Sequence, residues 1–297
     1  MNAQLKPSPA TGIFNDVSPA DYYVRRLDEA SASGLKQMLR SPAHYRHWCE
    51  NPDQDRTSPA LAFGSLLHCA VLEPDVFARK YIVEPADAPS YPPPRSWAAA
   101  KSTADVERAK DFWRQWEAGH EGMTRVSTTD YDKVRRMADS AMSHPVARGL
   151  LIGGEREVTF RWQDEETGID CKARADLYAS GEFLMDLKSC RDASAEGFAR
   201  AVAAYNYDMQ AMHYCNGIQA CGDSIKWFVF LAVESEAPYV CQPYILDTRA
   251  EERGWNLRQS AIRRLSQSLK SGQWPGYSQD LGQLSLPAYA FYNEDAK

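Results

Sequence analysis

The chain lacks any apolar run that approaches the roughly 18 to 20 residues needed to cross a bilayer. It also lacks an apolar segment in its first residues, which are polar and contain proline, so no secretory signal is predicted there. We therefore expect a cytoplasmic protein with no membrane partner.

Paired cysteines and glycine-rich loops are missing as well. The seven cysteines are an odd number and lie singly along the chain, a pattern typical of reduced core thiols rather than a disulfide framework. No Gly-rich phosphate loop occurs, which argues against an NTP-driven activity. No internal repeat or low-complexity segment is present either.

Basic residues are also fewer than acidic ones, with 34 Lys and Arg against 40 Asp and Glu. The net charge is −6 and the pI about 5.6, which counts mildly against nucleic acid because the phosphate backbone rewards clustered Lys and Arg. The total says nothing about where the charges lie, so this objection is limited. With 44% hydrophobic and 25% charged residues in 297, the composition is that of a globular protein with a sizeable core.

Three consecutive strands are predicted in the middle of the chain. They run from 155 to 163, from 169 to 178 and from 183 to 188, and a hairpin turn at 164–168 joins the first two. Alternation along the third strand places Asp186 and Lys188 on one face, while Met185 and Leu187 point into a core.

Two carboxylates and an amine meet in this region. Asp176 lies near the end of the second strand, where sheet pairing can bring it beside Asp186. Carboxylates that close repel one another unless they share a cation, and Mg²⁺ takes oxygen ligands of this kind. Lys188 could then orient or deprotonate an attacking water, or stabilise charge on a phosphate. An exposed ion pair at a strand end is the alternative reading of Asp186 and Lys188.

Four motifs in order strengthen the first reading. They are Gly64-x-x-x-His68, Asp176, Asp186-x-Lys188 and Gln210-x-x-x-Tyr214. This set resembles that of the RecB-type branch of the PD-(D/E)xK nucleases.

The flanking segments look like those of a narrower group, the RecE-type exonucleases (exonuclease VIII) and their phage relatives. The resemblance spans about Ser31 to Val233 and includes four short segments at 31–36, 41–45, 72–77 and 205–208.

The resemblance implies roles for several residues. It places His68 on the metal, although an isolated His in the apolar helix predicted at 59–72 is more often a core residue. With Asp176 and Asp186 it would bind Mg²⁺, for which Mn²⁺ could substitute, and the backbone carbonyl of Leu187 would be a further ligand. Some RecB-type nucleases carry an iron–sulfur cluster, but no Cys-x-x-Cys occurs, so none is predicted here.

Other residues are candidates for the same site. Gln210 and Tyr214 share a helix face, and either fix the Lys188 region or contact the DNA backbone, with a structural hydrogen bond as the alternative. Glu157 could add a carboxylate, and Ser189 directly follows the third strand. Three arginines are candidate DNA contacts: Arg40, Arg46 and Arg174. For Arg40 and Arg46, a solvated surface role is the alternative.

The predicted fold is α/β, a PD-(D/E)xK restriction-endonuclease-like core with a mixed sheet sandwiched by helices and an N-terminal helical elaboration. Residues 1–30 are expected to form an arm and 31–297 a single domain. That domain comprises a helical part at 31–152, a catalytic core at 153–246, and a C-terminal helix and tail at 247–297.

The predicted function is magnesium-dependent hydrolysis of DNA. The resemblance implies digestion of duplex ends from 5′ to 3′, which leaves 3′ overhangs for recombination, by a ring-shaped homo-oligomer that works with a single-strand annealing recombinase. Two alternatives remain: a structure-specific endonuclease, and a nucleic-acid-binding module whose site is vestigial.

Overall fold

The structure is a computed structural model of the chain and describes residues 10–52, 59–90, 92, 103–278 and 280–286. Its strands, in chain order, are β1 (Gly12–Phe14), β2 (Glu29–Ser31), β3 (Tyr81–Val83), β4 (Thr124–Val126), β5 (Glu155–Gln163), β6 (Asp170–Ala179), β7 (Phe183–Cys190), β8 (Trp227–Glu234) and β9 (Cys241–Tyr244).

The helices of these described residues are α1 (Pro19–Tyr22), α2 (Ala32–Arg40), α3 (Pro42–Glu50), α4 (Pro59–Leu72), α5 (Pro74–Lys80), α6 (Ala104–Ala118), α7 (Thr128–Ser143), α8 (Pro145–Ile152), α9 (Ala195–Tyr205), α10 (Tyr207–Ala220) and α11 (Thr248–Ser271). None of them is long and apolar enough to span a membrane.

A mixed sheet carries the fold. Its order is β1-β5-β6-β7-β8-β9, and β2 joins it by pairing with β6. β5, β6 and β7 are antiparallel neighbours, whereas β8 runs parallel to β7 after the crossover through α9 and α10. At the β5–β6 turn, Thr167 N donates to Asp164 Oδ1 at 2.9 Å and Gly168 supplies a φ of 71°. The predicted hairpin and the mixed α/β sheet between helices are confirmed.

The two faces of the sheet hold separate hydrophobic clusters. Leu184 and Phe230 belong to a cluster shared with α2, α3, α10 and α11. Met185, Leu187 and Leu231 belong to a second cluster, which includes residues of α4, α7 and α8. Adjacent positions of β7 therefore face opposite sides, and the prediction that Met185 and Leu187 lie in a core is confirmed.

The sheet forks at the end of one ladder. Along one edge of β6, residues 170–172 pair with β2 and residues 177–179 pair with β7, while residues 173–176 pair with neither strand. Asp176 is the last residue before the β7 ladder begins. The fork therefore opens a gap in the sheet beside this carboxylate.

A backbone distortion lies directly across from the fork. Glu157 on β5 stands opposite Asp176, between two regular pairs, and has a φ of 56°. Residues other than glycine seldom adopt this conformation. Ala175 belongs to the first core cluster and Leu177 to the second, so the alternation of side chains between faces is interrupted here.

Residues 10–31 contribute to the sheet. β1 pairs with β5 and β2 pairs with β6, so this segment supplies two strands that the sequence pattern did not indicate.

Candidate active site

Asp186 is held on both carboxylate oxygens. Gln210 Nε2, from α10, donates to Asp186 Oδ1 at 2.7 Å, and the ammonium of Lys188 contacts Asp186 Oδ2. Asp186 is only 3% exposed, so these interactions are weakly screened. The structure thus brings together Asp186, Lys188 and Gln210, three of the predicted site residues.

Asp176 joins the fork to α4. Its Oδ2 accepts a hydrogen bond from the backbone N of Leu187 at 2.6 Å, so a side chain takes the place of the missing ladder partner. Its Oδ1 lies 3.4 Å from Nδ1 of His68. One carboxylate therefore contacts both β7 and the imidazole of His68.

Glu157 completes a group of potential metal ligands. One ligand atom from each of His68, Glu157 and Asp176 lies within 4.8 Å of the others. Arg174 holds Glu157 in place, because its Nε donates to the Glu157 carbonyl at 3.2 Å and lies 3.3 Å from Glu157 Oε2. The positive φ of Glu157 is thus held by a buried cation.

The pKa values of Asp176 and His68 are shifted in opposite directions by their mutual contact. Burial alone would raise the pKa of Asp176, but the His68 imidazole and the Lys188 ammonium outweigh it and lower that pKa. Burial opposes the charge of His68, and the carboxylate of Asp176 overcomes this and raises the pKa of the imidazole. These shifts favour an ionised carboxylate beside a protonated imidazole.

The other acids in the site are harder to ionise. Burial raises the pKa of Asp186, and the Lys188 ammonium offsets this only in part. Burial, followed by the charge of Asp176, also raises the pKa of Glu157. For Lys188, burial opposes the charge, but the carboxylates of Asp186 and Asp176 raise the pKa of the amine. Carboxylates crowded in this way are typical of a site that shares a cation.

The donor set fits a divalent cation. Two carboxylates and an imidazole converge, and oxygen-rich sets suit Mg²⁺ or Mn²⁺. Asp186 is outside this converging group. However, its buried Oδ2 accepts no well-aligned hydrogen bond from the described residues despite its contact with Lys188, and a carboxylate oxygen has lone pairs to spare. His68, Glu157, Asp176 and Asp186 are therefore the residues that could hold a metal.

Three further predicted residues lie around this group. Tyr214 is buried one turn after Gln210, and burial raises the pKa of its hydroxyl. Ser189 is exposed directly after Lys188. Leu187 buries its side chain and uses its N–H on Asp176, while the role of its carbonyl as a ligand stays a prediction.

The candidate DNA-binding arginines are placed in two ways. Arg40 and Arg46 are exposed, and they bond Gln37 Oε1 at 3.1 Å and Glu50 Oε1 at 2.7 Å. Arg174 is only 8% exposed, and besides Glu157 it donates to the carbonyl of Val17. Contacts of these three residues with DNA stay a prediction.

Two residues of the site were not singled out from the sequence. Lys36 donates from Nζ to Gln210 Oε1 at 3.1 Å. The ring of Tyr207 lies against both Lys36 and Lys188, whose Nζ atoms are 4.8 Å and 4.9 Å from its centroid. Both residues fall in segments noted only for their family likeness, and that likeness was the one signal that could have found them.

The chain is similar to known proteins in sequence and in fold. A model of the family described as "PDDEXK-like domain of unknown function (DUF3799)" matches residues 31–284. A solved structure of a protein from Eubacterium rectale, named "putative exonuclease", is similar with a TM-score of 0.58 and 14% identity over 93% of this chain and 97% of its own. The structure of SSO0001 matches with a TM-score of 0.39 and 11% identity over 84% of this chain and 88% of its own. No curated protein matches the chain.

Proposed function

Because this chain belongs to the PDDEXK-like family DUF3799, and so to the PD-(D/E)xK nuclease superfamily, we propose that it is a magnesium-dependent exonuclease of double-stranded DNA. The arrangement of Asp186 carries the proposal. This buried carboxylate contacts the Lys188 ammonium and the Gln210 amide, and it lies on the strand whose backbone bonds Asp176. A plain exposed ion pair would not need either the burial or the second carboxylate.

A divalent cation bound by His68, Asp176 and Asp186, with Glu157 and the Leu187 carbonyl as further candidates, would supply Lewis acidity and an activated water. The side chains have their own tasks. Lys188 Nζ would orient or deprotonate the attacking water, or stabilise charge on the scissile phosphate. Gln210 donates a hydrogen bond to Asp186, and Tyr214 lies on the same face of α10 one turn later.

The finer parts of the proposal rest on the family resemblance. RecE-type likeness supports digestion from the 5′ end, a 3′ overhang for recombination, a ring of several copies and a single-strand annealing partner. The Eubacterium rectale neighbour is named "putative exonuclease", which supports an exonuclease activity for this chain but says nothing of its polarity. Arg40, Arg46, Arg174 and Ser189 remain the candidates for DNA contact.

The variant Lys188→Ala tests the chemistry. We expect cleavage of linear duplex to fall by roughly 10²- to 10³-fold, because a charge aimed at the reacting phosphate is lost. Binding of the same DNA, measured by fluorescence anisotropy in Ca²⁺, should change little. The matched control is Lys226→Ala, which removes an exposed lysine paired with Glu182 at 2.7 Å.

Unchanged cleavage by Lys188→Ala would refute the role of Lys188. A wild-type protein that binds DNA but leaves it intact with Mg²⁺ and with Mn²⁺ would support the vestigial alternative. A closed circular duplex separates the two nuclease readings, since rapid cleavage of circles would rule out a strict exonuclease in favour of an endonuclease.

A further inference from the structure

Lys36 connects α2 to the proposed catalytic strand through a single side chain. Its Nζ donates to Gln210 Oε1 at 3.1 Å, and Gln210 Nε2 donates to Asp186 Oδ1 at 2.7 Å. Gln210 is 7% exposed, so water competes little for either end of its amide. The chain of contacts therefore runs from an ammonium through one amide to the carboxylate.

The charges at the two ends decide which way the amide points. An ammonium can only donate and an ionised carboxylate can only accept, so Oε1 must face Lys36 and Nε2 must face Asp186. The reversed amide would set its NH₂ against an ammonium and its oxygen against a carboxylate. Without Lys36, only the Asp186 end would select the orientation.

The position of Lys36 is costly. It is half-buried, and its ammonium shares the ring of Tyr207 with that of Lys188. Burial, followed by repulsion from Lys188, lowers the pKa of Lys36 to about 8. A cation held beside a second cation and partly shielded from water is more typical of a functional site than of a stabilising contact.

We propose that Lys36 is a positioning residue, which fixes the Gln210 amide and through it the orientation of the Asp186 carboxylate. The inference rests on the proposed function, because it assigns Lys36 a part in the same site. It differs from a direct contact between Lys36 and a phosphate of the DNA, in which Gln210 would have no part.

A double-mutant cycle distinguishes these two roles. Lys36→Met removes the charge and the donor but keeps the length, and Gln210→Met removes the amide. Each variant is expected to lower kcat roughly tenfold with little change in KM for linear duplex, as for outer-shell partners of metal ligands. The double variant should lose no more than Gln210→Met alone, because both changes break one pathway.

A second readout needs no DNA. The affinity for Mn²⁺, measured by calorimetry, should fall roughly tenfold in Lys36→Met and in Gln210→Met, and no further in the double variant. Lys36→Arg, which keeps a donor and a charge, should restore both kcat and Mn²⁺ affinity to within about threefold of wild type. Lys226→Met is the control for loss of a lysine elsewhere. Should thermal unfolding show that Lys36→Met does not fold, Lys36→Gln replaces it in the cycle.

Losses that multiply in the double variant, or a rise in KM alone, would overturn the proposal in favour of direct phosphate contact. Wild-type kcat and Mn²⁺ affinity in Lys36→Met would overturn it outright. These failures differ from failure of the proposed function, in which the wild-type protein itself neither cleaves duplex DNA nor binds Mn²⁺.

Discussion

Single residues in this site keep conformations that cost stability. Glu157 has a φ of 56°, and an L residue in this region costs roughly 1 to 2 kcal/mol. Its carboxylate is also half-buried near Asp176, and burial first and the charge of Asp176 second raise its pKa. Both costs are explained if Glu157 helps to hold a cation.

We predict that Glu157→Asn separates stability from activity. Asn tolerates the left-handed conformation, but it leaves the buried Arg174 without its carboxylate partner, so the two effects should offset and the free energy of unfolding in urea titration should change by less than about 1 kcal/mol. Cleavage with Mg²⁺ should fall by roughly tenfold or more, because mutations of residues that support a metal site usually lower activity by this amount. Glu165→Asn, an exposed change in the β5–β6 turn, is the control. Retained cleavage in Glu157→Asn would remove Glu157 from the site.

Another buried residue, His213, makes the folded protein less stable in acid. His213 on α10 lies against the Trp162 ring and contacts the Lys172 carbonyl through Nε2 at 3.1 Å. Burial, with the Arg258 cation second, lowers its pKa from 6.5 to about 3. Its other nitrogen, Nδ1, has no hydrogen-bond partner among the described residues. The folded protein therefore keeps this imidazole neutral.

From the pKa of His213 we predict how the free energy of unfolding depends on pH. Because the folded pKa is depressed, the stability from His213 is present above pH 6.5 and is lost as pH falls from there toward about 3. Between about pH 7.5 and about pH 5, the wild type should lose about 2 kcal/mol more free energy of unfolding than His213→Gln. Urea titrations of both proteins at several pH values measure this, and parallel pH profiles would contradict it.

The sequence predicted these residues unevenly. Strand alternation placed Asp186 with Lys188, and helix spacing placed Gln210 with Tyr214, but only the family resemblance brought the strand and the helix to one site. Glu157 could be named only as a candidate, since its left-handed backbone interrupts the alternation on which such reasoning depends. Lys36 was out of reach for another reason: it lies 174 positions before Gln210, and no local pattern predicts that contact.

Among the elements, α10 packs closely against α11. A Cβ on Gly254 of α11 would lie 2.4 Å from the Asp208 carbonyl in the first turn of α10. Arg253 pairs with Asp208 at the same contact. Since α10 carries Gln210, the approach of α11 helps to set the depth of the amide in the site.

Gly254→Ala is predicted to push these helices apart. Backbone atoms cannot move aside as a side chain can, so the free energy of unfolding should fall by about 1 to 3 kcal/mol and kcat should fall with it. Gly149→Ala on α8 is the matched control, because its Cβ would meet nothing within 4 Å. There, alanine should stabilise the helix by about 0.5 to 1 kcal/mol. Equal thermal stability of the two variants would contradict this account.

Element types were more predictable than the way in which elements meet. The bounds of β5 match the predicted strand at 155–163. β1 and β2 were missed because three-residue strands have too few positions to show an alternation. The fork beside Asp176 depends on β2, so its existence could not be predicted either.

Across the whole molecule, both core clusters draw on the same sheet. We propose on this ground that residues 31–297 act as one domain, and that residues 10–30 are integral to it through β1 and β2. The net charge of −6 is compatible with a nuclease, because several acids are concentrated at the fork beside Lys36 and Lys188.

Cleavage of a linear duplex labelled separately at each 5′ and 3′ end, with Mg²⁺ or with chelator, tests the central claim most directly. The wild-type protein should release label from 5′ ends with Mg²⁺ and none with chelator, and Asp176→Asn should release none in either condition. Release of label in chelator, or a wild-type rate in Asp176→Asn, would contradict a metal-dependent nuclease site at the fork of this sheet.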